Sequence, residues 1–129
     1  MADEETLREL FAAWEKGDFS TGPALFAEDI RFSATQPEGQ IHETGIDGIR
    51  TFMQRFLPEW NGYRVELHEL EELGGGRFIA RATQHGTGKG SQVDITAPVH
   101  IAIEMSDGRM TLLGFFMRGR DDALAAFAE

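Results

Sequence analysis

Between residues 4 and 16 the apolar side chains fall at Leu7, Leu10, Phe11 and Trp14. That i, i+3, i+4, i+7 spacing is one face of an amphipathic helix. Acidic residues at its start and Lys16-Gly17 at its end suit the helix dipole and a C-terminal stop. Ser20, Thr21 and Pro23 then open an expected short second helix carrying Leu25 and Phe26. Residues 30–34, Ile-Arg-Phe-Ser-Ala, read as a first strand, and a polar loop with Pro37 and Gly39 follows. Ile46, Ile49, Phe52, Met53, Phe56 and Leu57 mark a third helix that Pro58 should end.

From Tyr63 onward the period changes to two. Tyr63, Val65 and Leu67 alternate, but Leu70 and Leu73 slip out of phase, which predicts a bulge near Glu69. Gly74-Gly75-Gly76 turns the chain into a strand over 77–85, and 86–92 form another turn. The strand expected over 93–105 is long, which favours a bend or bulge around Pro98. Asp107-Gly108 is a two-residue hairpin signal before a last strand over 110–118, and 121–127 form a short closing helix. Hairpins imply an antiparallel sheet, and segregated helices imply an α+β class. On the last strand Leu113, Phe115 and Met117 share one face while Leu112 and Phe116 share the other. Both faces should therefore be covered, one by helices and a pocket, the other most simply by a second subunit. A homodimer through the outer sheet face is the resulting expectation.

Length and charge narrow the function classes. At 129 residues the chain fits one domain able to bury roughly two thirds of its unfolded surface. Its 41% hydrophobic residues and ten Phe supply both a core and a lined cavity. Twelve basic against 22 acidic residues give a net charge of −10, which repels nucleic acid and anionic membrane, and no basic stripe offsets it. Without cysteine there is no disulfide, thiolate metal site or cysteine nucleophile. The acidic N-terminus lacks the basic and apolar regions of a signal peptide, and no apolar run approaches the roughly 20 residues of a membrane span. A cytoplasmic location is expected.

Phe11-Ala12-Ala13-Trp14-Glu15-Lys16-Gly17-Asp18, the run from Ala24 to Phe32, Gly45-Ile46-Asp47-Gly48-Ile49-Arg50-Thr51-Phe52, Ser106-Asp107-Gly108-Arg109-Met110 and the close from Arg120 to Phe127 occur in this order. Together they resemble the nuclear transport factor 2-like superfamily, and within it the SnoaL-like and steroid-isomerase-like branch. The resemblance implies one SnoaL-like domain over 1–129. It implies a cone-shaped α+β barrel, with N-terminal helices packed on a curved, mostly antiparallel sheet around a deep pocket, usually as a dimer. Members include isomerases, polyketide cyclases, epoxide hydrolases, dehydratases and non-catalytic subunits, so the fold does not name a chemistry. The branch's general-base aspartate matches Ala34, its tyrosine donor falls at about Leu10, and its protonated aspartate falls on His100, after Pro98-Val99. The acid of the epoxide-hydrolase pattern is missing from residues 110–117, and the strand aspartate of the cyclases has no clear counterpart.

His100 is the leading candidate for acid–base chemistry, because an imidazole titrates near neutral pH and can donate to a developing oxyanion. Two orientations stay open. Strict alternation puts Val99, Ile101 and Ile103 on one face and His100 on the other, so His100 points outward unless a bulge near Pro98 reverses it. Glu104 shares the parity of His100 and could orient the imidazole, with Arg81 as a second polar partner, or both are ordinary residues of a wet face. The four histidines show no metal-ligand spacing. Residues 86–91 are a turn, since Lys89 is followed by Gly and no helix follows. Trp14, Phe32, Phe52, Phe56, Trp60, Leu113, Phe115 and Met117 are the apolar stock from which core and pocket are drawn. A pocket so lined favours a small, flat, apolar organic ligand. Three readings follow: a cofactor-independent isomerase, cyclase or hydratase, a non-catalytic ligand binder, and a dimeric interaction module. A His100 facing an open cavity points to the first, an apolar cavity without an ionisable group to the second, and a cavity plugged by Trp14 and Phe115 to the third.

Overall fold

The computed structural model describes residues 2–36 and 39–128; Pro37, part of the expected polar loop, lies outside them. Helix α1 (Ala2–Glu15) buries Leu7, Leu10, Phe11 and Trp14, the face that the spacing picked out. Its chain leaves through Gly17 at φ +82°, where a left-handed backbone suits glycine. The expected second helix shrinks to a single 3-10 turn, Gly22–Leu25, because the backbone at Phe26 is already extended. Strand β1 (Phe26–Gln36) is thus longer than expected.

Strand β2 (Gly39–Thr44) lies where a polar loop was expected. It pairs antiparallel with β1 alone, from Arg31↔Thr44 to Gln36↔Gly39, at the end of the sheet. An edge strand buries little of itself, so its sequence carried no apolar alternation to read. Helix α2 (Ile46–Phe56) follows, and Pro58 sits inside a 3-10 turn, Leu57–Glu59, that prolongs it. Strands β3 (Trp60–Gly74), β4 (Arg77–Gly88), β5 (Asp94–Ser106) and β6 (Arg109–Phe116) come next, then α3 (Arg120–Ala125) and a last turn, Ala126–Ala128.

The six strands form one sheet in the order β2-β1-β6-β5-β4-β3. All neighbours are antiparallel except β1 and β6, which run parallel. The β3 register slips between Leu67 and Glu69, leaving His68 as the extra residue of the expected bulge. Asp107 and Gly108, at φ +53° and +75°, make the tight turn between β5 and β6.

No bulge occurs at Pro98. The β4–β5 register is continuous from Arg77↔Glu104 to Thr87↔Asp94, with Pro98 opposite Thr83. Pairing of β5 with β6 begins only at His100, so Pro98 sits where the second ladder has not started and its missing N–H costs nothing. Strict alternation therefore decides the faces. Val99, Ile101, Ile103 and Met105 join the main core with Leu7, Phe11 and Phe78, whereas His100, Ala102 and Glu104 face the other way.

That outer face has its own cover. Ile79, Ala102, Leu112 and Phe116 pack with Ala123 and Ala126, and Leu124 and Phe127 lie against them. Arg120 of α3 reaches Glu71 of β3 at 2.8 Å, and the Arg77 guanidinium lies 5.5 Å from the Phe127 ring centre. The cover that the two-faced last strand demanded is supplied by the C-terminal helix of the same chain, so the packing of β6 does not call for a second subunit. No helix among the described residues is long and apolar enough to cross a membrane.

Candidate functional site: an aromatic-ringed cavity

The inner face of the sheet and the two longer helices do not close completely. Trp14 from the end of α1, Phe19 and Gly22 from the following loop, Phe26, Phe32, Ala34 and Thr35 from β1, and Phe52, Met53 and Phe56 from α2 surround a cavity. Leu57, Tyr63, Gln84, Leu113, Phe115 and Met117 complete its wall. The free space is about 60 Å³. That is room for several water-sized centres and smaller than a drug-sized site.

Seven of the eight aromatic residues of this wall, all but Phe26, touch in a closed circuit. Trp14 lies 6.0 Å from Phe115, Phe115 6.2 Å from Phe32, Phe32 5.0 Å from Phe52 and Phe52 5.5 Å from Phe56. Phe56 lies 5.0 Å from Tyr63, Tyr63 5.4 Å from Phe19, and Phe19 5.8 Å from Trp14 again. These centroid distances lie in the range of favourable ring contacts, so each ring is braced by two others. The circuit draws on α1, the loop after it, β1, α2, β3 and β6. A groove of about 500 Å³ between that loop and α2, with Asp18, Arg50 and Gln54 at its rim, shares Phe19, Phe26, Met53 and Leu57 with the cavity. Those four side chains line both spaces.

Polar atoms in the wall are few. Tyr63 Oη donates to Gln84 Oε1 at 2.6 Å, and Gln84 Nε2 donates to Met117 Sδ at 3.0 Å. Thr35 Oγ1 donates to Gln40 Oε1 at 2.8 Å and accepts from the Met117 N–H at 3.2 Å. Trp14 Nε1 is buried with no hydrogen-bond partner among the described residues. Tyr63 is the single titratable residue among the described lining, and burial pushes its phenol well above the ordinary tyrosine value of 10.0.

The apolar part of the sequence expectation lands on this cavity. Trp14, Phe32, Phe52, Phe56, Leu113, Phe115 and Met117 all line it. Trp60 does not: its ring packs behind Phe56 at 6.0 Å, where the absent side chain of Gly86 makes room.

The polar part does not land there. His100, Glu104 and Arg81 share the outer face, because the register around Pro98 has no bulge to turn them inward. Arg81 is the cross-strand neighbour of His100 but ion-pairs with Glu69 at 3.9 Å. Glu104 does not orient the imidazole; its carboxylate accepts from Arg77 Nε at 2.9 Å and lies 3.7 Å from Arg31. The Arg77 hydrogen bond holds Glu104 below the usual carboxylate range, assisted by one from Thr111. The acid–base group expected from these three residues is therefore not assembled at the cavity. The other histidines with bonded rings lie outside it too, His85 2.9 Å from Glu66 and His68 2.6 Å from Thr83 Oγ1.

Phe19, Gly22, Tyr63 and Gln84 were not singled out in advance. For Gln84 a signal existed: it continues the alternation of Phe78, Ala80 and Ala82, so a polar residue on an otherwise apolar inner face was legible. For Phe19 and Gly22 none did, since both sit in a loop whose course only the packed structure sets.

In sequence, the SnoaL-like domain family matches residues 7–113. The chain belongs to this SnoaL-like family. Solved structures agree on the fold. A nuclear transport factor 2-like protein of unknown function from Burkholderia pseudomallei is 18% identical, with 99% of this chain and 96% of that one covered at a TM-score of 0.79. TerC, co-crystallised with polyporic acid, is 18% identical over 99% of this chain and 96% of its own, with a TM-score of 0.76. A hypothetical protein with a ketosteroid isomerase-like fold from Catenulispora acidiphila, in complex with trimethylamine, is 20% identical over 87% of this chain and 84% of its own, with a TM-score of 0.71. No curated protein matches the sequence significantly. Within the SnoaL-like frame, Ala34 occupies the cavity wall at the position that the resemblance gave to a general base, and a methyl group cannot serve as one.

Proposed function

We propose that this SnoaL-like chain binds a small, compact, mostly apolar organic molecule in the aromatic-ringed cavity and holds it without transforming it. The observation that carries the reading is the closed circuit of rings around free space whose one titratable group among the described lining, Tyr63, is a phenol that burial pushes still further from neutral pH. General acid–base catalysis needs a group that exchanges its proton near working pH and lies within reach of the substrate. The described lining offers no such group, and His100, Glu104 and Arg81 are separated from it by the sheet. The interaction-module reading requires a filled interior, whereas Trp14 and Phe115 leave open space beside them. The complexes of TerC with polyporic acid and of the Catenulispora protein with trimethylamine support the use of this fold to hold small organic molecules.

A thermal-shift screen of small ketones, phenols, cyclic ethers and hydrocarbons tests this. A ligand at about 100 times its dissociation constant should stabilise the fold by about 2.7 kcal/mol. Hits should persist in His100→Ala and vanish in Ala34→Leu, whose added carbons occupy the free space. Chemical turnover of a hit, or loss of hits in His100→Ala with retention in Ala34→Leu, would overturn the proposal.

A further inference from the structure

One indole N–H in the wall of the cavity meets no acceptor among the described residues. Trp14 is 3% exposed, and its Nε1–H has no acceptor among the described residues. No protein group among the described residues returns the hydrogen bond that folding takes from this N–H, and buried donors without a protein partner are uncommon in natural structures. The indole cannot swing toward solvent to repair the loss. Phe11 meets it edge-on at 5.2 Å, and Phe19 and Phe115 lie 5.8 and 6.0 Å from it on the circuit.

A second feature lies beside the same atom. Gly22 is buried in the cavity wall, and a Cβ placed on it would stand 3.9 Å from Trp14 Nε1, 3.7 Å from Phe26 Cζ and 3.8 Å from Leu10 Cδ1. Gly22 is not among the residues with positive φ, so the backbone does not require glycine here. The absent side chain instead leaves about a methyl group of space next to the unpaired N–H. The remaining polar wall atoms are already engaged, Tyr63 with Gln84, Gln84 with Met117, and Thr35 with Gln40.

We propose that Trp14 Nε1–H is the polar anchor of the cavity, and that its ligand class is a compact neutral molecule carrying one hydrogen-bond acceptor, such as a ketone or ether oxygen. This rests on the binding reading above and adds the chemistry of recognition to it. The acceptor docks at the Gly22 corner, and the hydrocarbon part packs within the ring circuit. A hydrocarbon of the same shape leaves the N–H unpaired, and an alkylammonium turns a positive group toward it. Ring faces alone would welcome such a cation. The anchor discriminates against both.

The test uses isotope-labelled protein, whose two tryptophans give two indole N–H resonances. Trp14→Phe assigns them, and Trp60, outside the cavity, is the internal control. Cyclopentanone, methylenecyclopentane and trimethylammonium chloride are titrated in turn, with the methyl resonances of Met53 and Met117 reporting occupancy. The expected result is a downfield movement of the Trp14 indole proton with cyclopentanone only, while Trp60 stays still. Trp14→Phe should weaken cyclopentanone about tenfold and methylenecyclopentane less than about twofold, in line with the cost of an unmade bond to a buried polar group. Gly22→Ala keeps the N–H and adds a methyl at ordinary contact distance, and should weaken cyclopentanone in the same direction. Equal affinity for the ketone and the hydrocarbon, a silent Trp14 indole on ketone binding, or tighter binding of trimethylammonium would each overturn the anchor while leaving the cavity a binding site. Methionine methyls that respond to none of the three probes would instead remove the binding reading, and the anchor with it.

Discussion

Tyr63 is the only tyrosine in the chain, so alkaline titration observes the cavity wall directly. Its hydroxyl donates to Gln84 at 2.6 Å inside the ring circuit, and burial raises its pKa well above 10.0. The sign is set by where the proton is held. Between the unfolded and the raised folded pKa the native state binds more protons than the unfolded chain, so stability falls as pH rises. The loss begins near pH 10 and runs at up to about 1.4 kcal/mol per pH unit for this one group, and two units therefore cost up to about 2.7 kcal/mol. Against a total of about 5–15 kcal/mol that is enough to bring alkaline unfolding into reach. The assay follows phenolate absorbance and far-ultraviolet circular dichroism together through a pH titration, with Tyr63→Phe as the control. Phenolate should appear only as the helical signal collapses, and Tyr63→Phe should unfold at higher pH than the parent. A phenolate transition centred near pH 10 in protein that keeps its native dichroism would refute the argument. The phenol would then be solvated, and the enclosure of Tyr63 within the aromatic circuit would be wrong.

Other consequences are open to measurement. Gly76, at φ +78°, has its Cβ position against the Met105 carbonyl oxygen while its own carbonyl accepts from Met105 N–H at 2.7 Å; Gly76→Ala should cost about 3 kcal/mol or more in urea unfolding, and a loss below about 1 kcal/mol would contradict the geometry. Phe32→Ala removes a 4% exposed ring from the circuit, so it should cost about 3–5 kcal/mol and let the cavity accept larger ligands; an unchanged ligand size range would contradict this. Glu104, held below its ordinary value chiefly by the Arg77 hydrogen bond, adds stability that is present above pH 4.5 and is lost as pH falls through its folded pKa; Glu104→Gln should flatten that acid limb, and an unaltered limb would remove the Arg77–Glu104 pair from the account. His100→Ala should leave stability within about 0.5 kcal/mol and ligand affinity unchanged by calorimetry.

Much of the fold was legible because local rules are enough for it. The apolar stripe of α1 follows from the helical period, and the turn at Asp107-Gly108 follows from the need for positive φ at both residues. The bulge at His68 shows in the phase slip between Leu67 and Leu70, which would otherwise face opposite sides of the sheet. The apolar lining was legible for a related reason, since Phe52 and Phe56 lie on one helix face and Leu113 and Phe115 alternate on one strand. Each of these statements relates residues only a few positions apart.

What the tertiary structure decided are relations between distant segments. Alternation in β5 separated His100 from Val99 and Ile101, but which of those sides holds the cavity depends on where α1 and α2 pack. Edge strand β2 and the parallel pairing of β1 with β6 left no mark, because backbone hydrogen bonds are indifferent to the side chains that flank them. That α3 packs on Ile79, Ala102, Leu112 and Phe116 was likewise not legible, because a short amphipathic segment reveals that it must pack but not against what. The aromatic circuit closes only when α1, its following loop, β1, α2, β3 and β6 meet. The unpaired Trp14 N–H exists only there, since a donor is left without a partner by everything brought around it, and no stretch of sequence contains that surrounding.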